Sequence, residues 1–113
     1  MNILLADDDV DDCQFFKESL AGSTESMQLT IVQDGEKLMQ ILIDEETQLP
    51  DVLFLDINMP RKSGFECLAE IRLSEKLTLL PVVLFSPSFD NQVVAKLFLN
   101  GAHHFIRKPS DFL

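Results

Sequence analysis

The chain has 113 residues, 46% of them hydrophobic, and 19 Asp+Glu against nine Lys+Arg give a formal net charge of −10. That length fits one domain and that composition supports a buried core. A surface of that sign repels phosphate backbones and anionic headgroups, which argues against direct nucleic-acid binding and against a membrane, and no apolar run approaches a membrane span.

Residues 2–6 form a short apolar run and predict a buried strand. It leads straight into "ADDDVDD", where Asp7, Asp8, Asp9, Asp11 and Asp12 crowd together. Val10, Cys13, Phe16 and Leu20 then recur at helical spacing up to Gly22. Asp9 suits the N-cap of that helix, and Asp11 and Asp12 suit its solvent-screened first turn. Residues 29–32 predict a second strand. The spacing predicts a helix capped by Asp34 that buries Leu38, Ile41 and Leu42 and ends near Glu46. Leu49-Pro50 breaks the chain before a strand over 51–56 that ends in Asp56. Ser63 and Glu66 have capping-box spacing at the head of a helix through Phe65, Leu68 and Ile71. Pro81 introduces a fourth strand over 82–86. The spacing predicts a helix capped by Asp90, carrying Val93, Val94, Leu97 and Phe98 and stopped by Gly101, and 105–107 predict a fifth strand. The tail from Pro109 to Leu113 reads as the start of a helix that is cut short, although a fifth helix would be needed to cover the sheet face served by the first.

Strands alternating with helical segments predict a parallel sheet, and near-continuous apolar runs predict strands buried on both faces. Cys13 and Cys67 match no metal spacing and offer no disulfide framework, so both read as small buried hydrophobes in a reducing compartment. The apolar start is too short for a signal peptide, and a cytoplasmic protein is expected.

Open parallel sheets place their sites at the carboxyl ends of the strands. Those ends carry Asp7 and Asp8, Asp56 and Ser86, with Lys108 just after the last strand. Each has a plain structural explanation when taken alone. Asp7 and Asp8 are common turn residues, Asp56 a strand end, Ser86 a strand terminus and Lys108 a surface lysine. Their coincidence on one rim is harder to explain by packing. Three carboxylates brought together repel one another unless a cation sits among them, and a hard oxygen-seeking ion such as Mg²⁺ fits.

Asp7-Asp8, "VLFLDINMP" followed by Gly64, "VVLFS" and "GAHHFIRKP" together resemble the receiver domain of bacterial two-component response regulators, of the chemotaxis-regulator-like kind. The resemblance runs in order along the whole chain. It implies a doubly wound, flavodoxin-like α/β fold: a five-stranded parallel sheet of order 2-1-3-4-5 with helices on both faces. It also implies that Asp56 is the phosphoacceptor, attacking the phosphohistidine of a sensor histidine kinase or phosphotransfer protein. Asp8 and Asp56 would ligate Mg²⁺, Asp7 would act mainly through water, and the Asn58 carbonyl would complete the set. Lys108 would pair with phosphoryl oxygens. Ser86 and Phe105 match the switch positions, although Phe105 reads equally as a core phenylalanine. Lys108-Pro109 matches a bond that is cis in many family members. The face made by the fourth helix, fifth strand and fifth helix would serve a downstream target, an output domain or a homodimer.

Pro87 departs from the pattern. It stands where the family has a small residue whose N–H holds a phosphoryl oxygen, and proline has no N–H and restricts the preceding Ser86. That keeps open a second reading, a degenerate receiver that binds a partner without phosphorylation. Two other readings fare worse. Asp7, Asp9, Asp11 and Glu18 fit most of an EF-hand loop, but Asp12 stands where that loop needs Gly. "FLDIN" also resembles hydrolases with a strand-end nucleophile, yet Asn58 replaces their general acid, so enzymatic turnover is not expected.

Overall fold

The computed structural model describes residues 1–22, 26–86 and 104–107. In chain order these form β1 (Asn2–Ala6), α1 (Val10–Ala21), β2 (Gln28–Val32), α2 (Gly35–Ile43), β3 (Val52–Asp56), α3 (Gly64–Leu73), β4 (Val82–Ser86) and β5 (His104–Arg107). The strands pair in parallel in the order β2-β1-β3-β4-β5, as the doubly wound reading requires.

Side chains alternate across the sheet with a period of two. Leu4 and Ala6, Leu53 and Leu55, and Val82 and Leu84 face one side, where they join Leu38 and Leu42 of α2 and Cys67, Leu68 and Ile71 of α3 in one buried cluster. Ile3, Leu5 and Val83 are buried on the opposite side. There the Phe54 ring meets Phe16 of α1 edge-on, with centroids 4.8 Å apart. Helices therefore cover both faces, and the strands are apolar throughout because neither face is wet. Each fully buried leucine contributes about 1.5–3 kcal/mol by leaving water.

Three helix starts obey the expected caps. Asp9 accepts from the Asp11 and Asp12 N–H groups at 2.9 and 3.2 Å. Asp34 accepts from the Lys37 N–H at 2.7 Å. The Ser63 hydroxyl accepts from the Glu66 N–H at 3.3 Å and donates to the Glu66 carboxylate at 3.3 Å.

The structure corrects three expectations. α2 ends at Ile43 rather than near Glu46, because Asp44 closes a turn: its side chain accepts from the Glu46 N–H and its carbonyl from the Thr47 N–H. Val10 opens α1 but stands 69% exposed instead of joining the buried stripe. Asp12 is buried, not screened by solvent. The helix expected after Asp90, its stop at Gly101 and the tail from Pro109 lie outside the described residues. Among the described residues, no helix is long and apolar enough to cross a membrane.

Candidate functional site

Strand register explains why distant carboxylates meet. Ile3 through Ala6 pair with Val52 through Leu55, so one further step sets Asp7 beside Asp56 at the carboxyl ends of two adjacent inner strands. Carboxylate oxygens of Asp7, Asp8 and Asp56 all lie within 4.8 Å of one another. Asp7 and Asp56 are buried, whereas Asp8 is exposed and opens the cluster to solvent.

Local hydrogen bonds fix the two buried members. The Asp7 N–H donates to the Val32 carbonyl at 3.0 Å, tying the residue to β2. Its carboxylate accepts from the Asp9 N–H at 3.0 Å, and its carbonyl accepts from the Cys13 thiol at 3.4 Å. Asp9 thus has two jobs, capping α1 with its side chain and holding Asp7 with its backbone. The Asp56 carboxylate accepts from the Asn58 N–H at 3.4 Å. Asn58 itself is exposed.

The loop from Ile57 to Ser63 is anchored by two glycines. The Gly64 N–H donates to the Ile57 carbonyl at 2.8 Å, and a Cβ on Gly64 would overlap the Asp56 carbonyl oxygen. A Cβ on Gly35 would likewise overlap the Lys62 carbonyl oxygen, which packs the loop against the start of α2. Gly35 carries no expectation from the sequence, because a Gly after a capping Asp reads as an ordinary helix start. Arg61 turns the loop with φ 68°, a conformation rare for a residue with a side chain. Its guanidinium stands 3.9 Å from Asp34.

Ser86 ends β4 opposite Arg107 of β5, one residue beyond the level at which Asp56 pairs with Phe85. The backbone of Ser86 therefore reaches the same rim as the carboxylates, and that of Phe105 pairs with Leu84 lower in the sheet. Lys108, Pro109 and Pro87 lie outside the described residues. Oxygens from two buried carboxylates and one exposed one, with the exposed side open, suit a hard divalent cation that keeps some of its water.

Comparison with known proteins agrees with this geometry. The family model for the response regulator receiver domain matches residues 3–112. Response regulator Rcp1 of Synechocystis sp. is 35% identical over 103 residues, covering 87% of this chain and 70% of its own length. Its Mn²⁺-bound crystal structure superposes with a TM-score of 0.92 at 31% identity, over 97% of this chain and 82% of that one. The phosphorylated cyanobacterial phytochrome response regulator RcpA gives a TM-score of 0.93 at 31% identity, over 98% and 82% of the two chains. Response regulator RR06 of Streptococcus pneumoniae is 32% identical over 96% of this chain, which spans only 46% of that longer relative. The chain belongs to the response regulator receiver domain family.

Proposed function

We propose that Asp56 accepts a phosphoryl group from the phosphohistidine of a sensor histidine kinase or phosphotransfer protein in a Mg²⁺-dependent reaction. The observation that carries this reading is the convergence of Asp7, Asp8 and Asp56 at the carboxyl ends of β1 and β3. An Asp56 carboxylate oxygen forms the new O–P bond as the P–N bond of the phosphohistidine breaks, and that electron pair leaves on the imidazole nitrogen. Asp8 and Asp56 would hold the metal directly, with Asp7 acting through water and the Asn58 carbonyl completing the protein's share. A bound Mg²⁺ supplies the positive charge that offsets negative charge on the phosphoryl oxygens.

The remaining residues position and read the group. Lys108 pairs with phosphoryl oxygens, and Ser86 hydrogen-bonds the phosphate while Phe105 turns inward behind it. The phosphorylated form of RcpA and the Mn²⁺-bound form of Rcp1 support both halves of this reading by similarity. Asn58, two residues after the nucleophile, offers no general acid, so the chemistry is limited to self-phosphorylation and autodephosphorylation in a cytoplasmic signalling protein. The downstream partner binds the face around β5.

The test is to load the chain with acetyl phosphate and map the product. A single labile phosphoryl group on Asp56 is expected. Stable labelling of a different residue, or rapid multiple-turnover release of phosphate, sinks the reading.

A further inference from the structure

β2 stands at the end of the sheet and pairs with β1 alone. The Gln28 N–H donates to the Met1 carbonyl, and the Val32 carbonyl accepts from the Asp7 N–H. Main-chain groups alternate sides along a strand, so Gln28, Thr30 and Val32 turn theirs toward β1. Leu29 and Ile31 consequently present their N–H and C=O groups at the open edge.

This edge has a hollow on each face of the sheet. Beside α1 and around the carboxyl end of β2 lies one of about 510 Å³, lined by Cys13, Gln14 and Lys17 of α1, Ile31 and Val32 of β2 and Lys37 of α2 among others. Toward α2 lies one of about 230 Å³, lined by Leu4, Thr30, Ile41, Thr47 and Pro50 among others. Register assigns the faces: Thr30 pairs with Leu4, which packs with α2, and Ile31 pairs with Leu5 on the α1 side. An added strand would point successive side chains alternately into these two spaces.

Charge selects the occupant. The larger hollow is lined by two lysines and by no carboxylate, in a chain of net charge −10. Neither Lys17 nor Lys37 has an ion pair among the described residues. A second copy of this chain would bring its own −10 to the contact and be repelled. A helix would leave the outward main-chain groups of Leu29 and Ile31 unused.

The geometry points to β2 as a docking edge for a short extended segment of a partner protein, which adds as an outer strand and sets an acidic side chain between Lys17 and Lys37. Main-chain hydrogen bonds supply affinity in such a contact, and the alternate hollows supply selectivity. The edge is only five residues long, so the docked segment is short and exchanges quickly.

The test uses the isotope-labelled full chain and a short capped peptide of alternating Val and Thr with a central Glu. Saturable amide shifts centred on Leu29 and Ile31, with a dissociation constant below about 1 mM, are expected. Exchanging the peptide's Glu for Lys should weaken binding about five- to tenfold, and so should the double change Lys17→Gln and Lys37→Gln. Methylating the peptide's inward amide nitrogens should abolish binding. No saturable shift up to millimolar peptide would overturn the proposal, since a short, lysine-flanked edge would then serve only to discourage self-association. Undiminished binding of the methylated peptide, or shifts centred elsewhere, would overturn it too.

Discussion

Gly64 lies so close to the Asp56 carbonyl oxygen that any side chain at position 64 would overlap it. The contact is backbone on backbone, so no flexible side chain can yield. The Gly64 N–H also holds the Ile57 carbonyl at 2.8 Å, which sets the path of the loop leaving Asp56. Gly64→Ala should therefore cost about 1–3 kcal/mol as an overpacking change. It should also slow phosphoryl uptake at Asp56, by displacing the residue or the Asn58 carbonyl. Urea melts and acetyl phosphate labelling check the two effects, and a variant as stable and as quickly labelled as the parent would refute the close approach.

Much of this arrangement was legible from residues alone, for a physical reason. Strands buried on both faces need continuous apolar runs, so 2–6 and 82–86 declare themselves and match the observed β1 and β4. The strand-end position of Asp56 was legible for the same reason, since a carboxylate closing an apolar run needs a site to justify it. Side-chain caps are local, and Asp9, Asp34 and Ser63 were readable for that reason. Burial is not local. Asp12 carries the same side chain as Asp11 one position away, yet only Asp12 is buried, which depends on what packs over α1. Val10 fits the helical spacing yet stands exposed as the first residue of α1. The end of α2 was misplaced because the turn closed by Asp44 has no glycine or proline to announce it.

Cys67 gives a pH prediction with a definite sign. Burial, reinforced by the nearby Glu70 carboxylate, pushes its thiol up from 9.0 to about 12. The protonated thiol donates to the Gly35 carbonyl at 3.5 Å. Below pH 9.0 the thiol is protonated in both folded and unfolded chains. As pH rises from 9.0 toward about 12 the unfolded chain sheds a proton that the folded chain keeps, so stability falls. The stability of the parent relative to Cys67→Ala should decline across that window in urea titrations. A pH-independent difference would contradict the assignment. At pH 8 the folded thiol should also resist alkylation that proceeds once the chain is unfolded.

Pro87 yields a prediction from its missing N–H alone. If the phosphoryl site lacks one backbone donor there, Pro87→Ala should bind a phosphate mimic such as beryllofluoride more tightly, by about tenfold for one charge-assisted hydrogen bond. Equal affinity for parent and variant would show that Pro87 withholds no donor from the site.

The most direct test of the central claim is phosphoryl incorporation from acetyl phosphate with and without Mg²⁺, in the parent and in Asp56→Asn. Asp56→Asn preserves size and leaves Asp7 and Asp8 in place, so it removes the nucleophile with little change of shape. The parent should be labelled only when Mg²⁺ is present, and Asp56→Asn under neither condition. Labelling of the parent without a divalent ion, or labelling that survives Asp56→Asn, would contradict it.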